Sequence, residues 1–150
     1  ALRVRNQMTL DRIDVLDGAD SPFTGEQCAE LRARWQQYLA VPAWDGPAMW
    51  LHADLHGMNL LHHKRQLTAV IDFGDITSGD PATDLAIGYS LFDADELTVF
   101  RAAAESTARP IDDAMWQRAE AWAMSVGLAV LNSSADSPAM FQVGRRMIGM

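Results

Sequence analysis

The alternation of apolar and polar positions predicts a mostly helical chain with one short β region in its middle. From Thr24 to about Leu39, Cys28, Leu31, Trp35 and Tyr38 recur at helical spacing, so one face packs inward. Thr24 and Gln27 form a capping-box pattern at the start of this helix. Val41-Pro42-Ala43-Trp44-Asp45-Gly46-Pro47 ends it and feeds a first strand over Ala48–Leu51. Leu60–Leu61 and the β-branched run Leu67–Ile71 predict two further short strands, joined by a hairpin turn at Lys64-Arg65-Gln66. Pro81 opens a helix running to about Phe92, where its missing N–H costs nothing. Asp93 with Glu96 caps the next helix, through about Glu105, and Arg109-Pro110 marks a break. Asp112 or Asp113 starts a long helix with an inward stripe of Trp116, Ala119, Ala123, Val126 and Val130. Ser137 and Pro138 open a last helix through Met150. Residues 1–23 show no clear period and are turn-rich from Asp17 to Pro22, so they read as a linker or extended segment. The fold class that follows is α+β, mainly α, with a small β-hairpin.

Composition narrows the picture. With 150 residues and 49% hydrophobic content the chain can bury a real core, most simply as one domain. A single cysteine, Cys28, excludes an internal disulfide, fits a reducing compartment, and reads as a core residue of its helix. The first residues, ALRVRNQMTLDRID, lack the apolar run of a signal peptide. The longest apolar stretch, Ala121 to Leu131, is too short to span a bilayer, which needs about 20 residues. A cytoplasmic protein with no membrane partner is expected. A formal net charge of −8 disfavours nucleic-acid binding and is compatible with a cationic small-molecule partner, although acidic surfaces are common in soluble proteins. Nothing in the pattern fixes an oligomeric state.

The chemistry concentrates in Trp50 to Asp84, WLHADLHGMNLLHHKRQLTAVIDFGDITSGDPATD. His52, Asp54 and Asn59 stand as H-x-D-x-x-x-x-N, and Asp72-Phe73-Gly74 follows the apolar run. A hairpin between them would bring Asn59, just before one strand, close to Asp72, just after its partner. An amide oxygen and a carboxylate side by side are hard ligands suited to Mg²⁺ with phosphate oxygens completing the octahedron. Asp54 is then left free to accept a proton. Those are the parts needed for phosphoryl transfer, where positioning and charge neutralisation supply most of the catalysis. Asp75 is a candidate for a second metal or for support of the first.

In order and spacing these blocks match the catalytic loop and the metal loop of protein kinases. The segment resembles the C-terminal lobe of the aminoglycoside phosphotransferase and choline kinase family, relatives of protein kinases. In that family the loop commonly reads H-G-D-L-H-x-x-N, the metal motif I-D-F/W, and a G-D-P-x-x-D-L-A stretch follows. Here they are His52-Ala53-Asp54-Leu55-His56-Gly57-Met58-Asn59, Ile71-Asp72-Phe73-Gly74-Asp75, and Gly79-Asp80-Pro81-Ala82-Thr83-Asp84-Leu85-Ala86. The resemblance implies ATP as phosphoryl donor, with GTP left open, Mg²⁺ held by Asn59 and Asp72, and a small-molecule hydroxyl as acceptor. It implies Asp54 as catalytic base, His52 as organiser of the loop, and Asp84 as a hydrogen-bond partner of the loop backbone, with Gly74 completing the metal motif. His56 either donates to the transferred phosphate or holds the loop. His62 and His63 read as a strand-face pair.

Two kinase parts are missing. No glycine-rich loop precedes Trp50, and no lysine appears before Lys64. In the family both lie in an N-terminal nucleotide lobe, so residues 1–150 are expected to form a single C-terminal lobe of a larger kinase, with little activity alone. Two alternatives stay open: a non-catalytic pseudokinase or binding module, and a metal-dependent hydrolase using His52, Asp54, His56 and His62 or His63.

Overall fold

The structure, a computed structural model, describes residues 2–19, 21–107, 110–134 and 136–150. Its spine is a long helix that the N-cap of Asp112 starts, accepting the Met115 N–H at 2.7 Å. In chain order the elements are α1 (Asn6–Leu16), α2 (Gly25–Ala40), β1 (Met49–Leu51), β2 (Leu60–His63), β3 (Gln66–Val70), β4 (Thr77–Gly79), α3 (Ala82–Leu85), α4 (Ile87–Leu91), α5 (Ala94–Glu105), α6 (Asp113–Ser133) and α7 (Pro138–Met147). The spine is α6, against which α1, α2, α3, α4 and α7 all pack. Its closest partner is α7. A Cβ added at Gly127 would lie 2.7 Å from Met147 Cβ, and one added at Gly144 2.7 Å from Leu131 Cγ, so both glycines are required by the approach of the two helices.

Local signals set most helix starts. Thr24 and Gln27 satisfy each other's backbone N–H groups in a closed capping box, as do Asp93 and Glu96. Ser137 caps α7 with Pro138 in its first turn. Cys28, Leu31 and Trp35 are fully buried in a core shared with Ile13, Leu128 and Ile148. Burial pushes the Cys28 thiol up, which makes it a poor nucleophile.

Four expectations are corrected. Residues 1–23 are not an extended linker: a 3-10 turn over Leu2–Arg5 leads into α1. Its buried positions, Thr9, Ile13 and Leu16, do follow helical spacing, but one is polar and the apolar Met8 and Val15 point outward, which hides the period. The helix expected over Pro81–Phe92 is two short ones, because at Ala86 the chain tightens and Tyr89 N–H bonds the Ala86 carbonyl three residues back. The stripe of α6 is buried at Trp116, Ala119 and Ala123, whereas Val126 is 39% exposed and Val130 half-buried. The last helix stops at Met147, and Gly149 at φ 74° turns the chain. Of the expected turns, Asp20 and Arg109 lie outside the described residues.

Two small antiparallel sheets sit at one end of the helical body. β2 and β3 form the expected hairpin with Leu60 opposite Val70, a bulge between Leu61 and His62, and a two-residue turn in which Lys64 and Arg65 both take positive φ (48° and 65°). β1 pairs with β4, Met49 opposite Gly79 and Leu51 opposite Thr77. Thr-Ser-Gly carries no strand pattern of its own, so β4 forms because β1 offers it a ladder. No helix among the described residues is long and apolar enough to cross a membrane.

Candidate active site

The loop between β1 and β2 carries His52 to Asn59 and is held from three sides. Beneath it, at the start of α3, the Asp84 carboxylate accepts the backbone N–H groups of His52 (2.8 Å) and Ala53 (2.9 Å). From the far end, the buried Asn59 donates its Nδ2 to the Asp54 carbonyl at 2.9 Å, folding the loop back on itself. From the side, the buried His52 ring receives the Asp54 N–H on Nδ1 (3.4 Å), which leaves Nε2–H to donate to the Ile71 carbonyl at 2.8 Å. The same ring lies 4.7 Å from that of Phe73.

These contacts join the two motifs. Ile71 N–H donates to the Asn59 carbonyl at 3.0 Å, extending the β2–β3 ladder by one rung, so the chain leaves the ladder one residue beyond the Asn59–Ile71 pair. That residue is Asp72, exposed, in the left-handed region at φ 64°, and followed by a 3-10 turn over Phe73–Asp75. Gly74 leaves room for the Asp72 carboxylate, whose Oδ1 would lie 3.4 Å from an added Cβ. Asp75 is exposed on the turn.

Asp54 and His56 lie on the open side of the loop. Their side chains are 48% and 39% exposed, and His56 Nε2 stands 3.5 Å from Asp54 Oδ2, an ion pair whenever the imidazole is protonated. His56 Nε2 is 3.1 Å from Asn59 Nδ2, and its Nδ1 accepts the Met58 N–H at 3.3 Å. Both Asp54 and His56 line a cavity of about 720 Å³ that runs back to α6 and α7. His62 and His63 are exposed on β2, and no group of three or more His, Cys, Asp or Glu that could hold a metal is assembled among the described residues. The cluster needed for the hydrolase alternative is therefore not formed.

Ala53 stands where the resembled loop has glycine, and it takes φ 67°. A left-handed L-residue costs about 1–2 kcal/mol, part of which glycine gives back in chain entropy. Ala53→Gly is accordingly expected to raise unfolding free energy by about 0.5–1 kcal/mol in a denaturant melt; a loss of stability would show that the loop geometry is otherwise held.

One supporting residue escaped the sequence reading. Arg118, buried on α6, donates Nε to Asp80 Oδ2 at 2.7 Å and Nη1 to the Pro42 carbonyl at 3.1 Å, and its guanidinium lies 5.8 Å from the Trp44 ring. Asp80 Oδ1 accepts the Ala82 N–H at 3.0 Å. The pair fixes the corner between β4 and α3, and hence Asp84. The available signal was its register, three residues after Met115 and four before Trp122 on the inward side of the helix, where such a charge is buried only with a partner.

With this geometry in view, the comparisons place the chain. The crystal structure of the apoenzyme of a macrolide 2′-phosphotransferase, MphH, from Brachybacterium faecium is similar in fold, with a TM-score of 0.53 at 21% identity over 99% of this chain. The chain spans 49% of the length of that protein chain. No curated protein matches it. A family model described as the phosphotransferase enzyme family matches residues 4–122, most of the chain, and the chain therefore belongs to that family.

Proposed function

We propose that the chain is the catalytic and acceptor-binding lobe of an ATP-dependent phosphotransferase that phosphorylates a hydroxyl of a small molecule. The observation that carries this reading is the joining of the two motifs: hydrogen bonds through His52, Asn59 and Ile71 set Asp54 and Asp72 on adjoining loops, with Asp54 opening onto a cavity. Asp54 accepts the proton of the attacking hydroxyl, help worth about 10²- to 10⁴-fold in rate. His56 lies beside it, placed to donate to the phosphate or to steady the loop.

Asn59 and Asp72 fit a divalent cation. The Asn59 Nδ2 is engaged by the loop, which leaves Oδ1 as the atom that would coordinate, and Asp72, one residue beyond the Ile71 N–H that donates to the Asn59 carbonyl, carries an exposed carboxylate. Hard oxygens of this kind suit Mg²⁺, with Asp75 as a further carboxylate nearby. When bound, Mg²⁺ would neutralise the phosphate charge that builds during transfer.

The nucleotide lobe lies outside these 150 residues in this reading. Support comes from the absence of a glycine-rich loop before Trp50, from the 49% coverage of the solved phosphotransferase, and from apolar side chains exposed on the two small sheets and the loop between them, Trp50 (79%), Leu67 (62%), Phe73 (54%) and Ile76 (52%). The macrolide acted on by MphH is one candidate acceptor.

Joined to a nucleotide lobe, the protein is expected to move label from γ-labelled ATP to an acceptor. Chelation should abolish transfer and Mg²⁺ restore it. Transfer that persists after the metal is removed would contradict the assignment.

A further inference from the structure

The helix α4 is five residues long, well short of the dozen or so that a helix needs to stand alone, so its place is set by what touches it. On one side it abuts α5: a Cβ added at Gly88 would lie 2.7 Å from the Phe100 ring. On another it abuts the loop that carries Asp54 and His56. A Cβ added at Gly57 would lie 3.3 Å from Leu91 Cδ2, so Leu91 leaves room there for glycine and little more. Gly57 directly follows His56 and opens the 3-10 turn Gly57–Asn59, which makes this contact the nearest that α4 comes to the reacting groups.

The end of α4 is tied from α7. Arg146 Nη1 donates to the Leu91 carbonyl at 3.0 Å and to the Ser90 carbonyl at 3.3 Å. These last-turn carbonyls have no helical N–H to accept, and a cation suits the carbonyl end of a helix. The preceding two are already engaged, Gly88 by the Phe92 N–H at 3.1 Å and Ile87 by the Ser90 hydroxyl at 2.8 Å. Arg146 is exposed and forms no ion pair among the described residues, so its guanidinium is engaged by this helix end and by no carboxylate.

We infer that Arg146 is a positioning residue for the transfer site. By anchoring the Ser90 and Leu91 carbonyls it holds the Leu91 side chain against Gly57, and so keeps His56 Nε2 at 3.5 Å from Asp54 Oδ2. It acts through α4 and touches neither group itself. The inference rests on the phosphotransferase reading for its effect on turnover, and on the geometry alone for its effect on the loop.

The test uses the protein carrying both lobes, with Arg146→Ala, Arg146→Lys and Gly57→Ala. Amide hydrogen exchange followed by NMR reads the loop without turnover, at the Met58 N–H, which His56 Nδ1 accepts, and at the Asn59 N–H, which the His56 carbonyl accepts. Arg146→Ala should speed both amides about tenfold or more while the amides of α2 keep their rates, because only the local opening changes. Arg146→Lys still donates to a carbonyl and should restore most of the protection. In Arg146→Ala kcat should fall about tenfold with KM for ATP unchanged, a split that a general loss of stability does not give. Gly57→Ala works from the other side, since its methyl must displace either Leu91 or the loop. With Arg146 holding Leu91 the loop gives way, and without it Leu91 does, so Gly57→Ala should speed the two amides more in the parent than in Arg146→Ala. Loop exchange unchanged in Arg146→Ala, no recovery in Arg146→Lys, an equal Gly57→Ala effect in both backgrounds, or an unchanged kcat in Arg146→Ala of an active parent would overturn the inference. Loop exchange that responds as expected in a parent that transfers no phosphate would keep the anchor and remove the phosphotransferase reading. Transfer by a parent whose loop is indifferent to Arg146 would do the reverse.

Discussion

Under the proposed function, Asp54→Asn in a protein joining this chain to a nucleotide lobe should lower kcat by about 10²- to 10⁴-fold, the usual worth of a positioned general base. Asparagine keeps the shape of the side chain but cannot take a proton at neutral pH. The loop should stay in place, because Asn59 is held by the Asp54 carbonyl and not by its carboxylate, and His52 by the Asp54 N–H. With a side chain 48% exposed, the substitution should change stability by no more than about 0.5 kcal/mol. Steady-state kinetics with a matching melt separate the two effects. A kcat within a few-fold of the parent would remove Asp54 from the chemistry.

The largest expected effect on stability lies outside the His52–Asn59 loop, at Arg118. Its side chain is 5% exposed and that of Asp80 20%, and each is the other's main source of charge neutralisation. Breaking a buried pair by removing one partner costs about 3–5 kcal/mol, because the charge left behind is neither solvated nor paired. Arg118→Ala also loses the bond to the Pro42 carbonyl and the contact with Trp44. For a chain of this size, a loss of that order is a large fraction of total stability. Replacing both partners, as Asp80→Ala with Arg118→Met, should recover part of the loss, since no lone charge then remains. Denaturant melts of the two single variants and the double variant make the cycle, and additive losses would show that the pair is not coupled.

Much of the helical frame was legible because its signals are local. A capping box is a contact between residues three apart, and Thr24 with Gln27 and Asp93 with Glu96 form it with no help from elsewhere. What escaped depends on partners distant in sequence. The β4 strand exists because β1 lies beside it, α1 is fixed by Ile13 and Leu16 entering a core made with α2 and α6, and Arg118 is buried because Asp80 waits 38 residues away. The split at Ala86 is of the same kind, for Asp84 faces the loop it holds while Ala86 packs inward.

The candidate site divides along the same line. The spacing of His52, Asp54 and Asn59, and the hairpin that returns the chain to Asp72, could be read as pattern. The grip of Asp84 on the loop entered only through resemblance to a family. The exposed Val126 and the half-buried Val130 fitted a core stripe by period alone, and only the placement of α4 and α7 shows that they line a cavity.

The account turns on Asn59 and Asp72 serving one cation next to Asp54. Electron paramagnetic resonance of Mn²⁺ with a non-hydrolysable ATP analogue, in the protein carrying both lobes, reads that site directly. The account predicts a bound Mn²⁺ signal whose affinity falls about tenfold or more in Asn59→Ala and in Asp72→Ala, and is unchanged in His62→Ala. Mn²⁺ binding that survives both substitutions at full strength would contradict it.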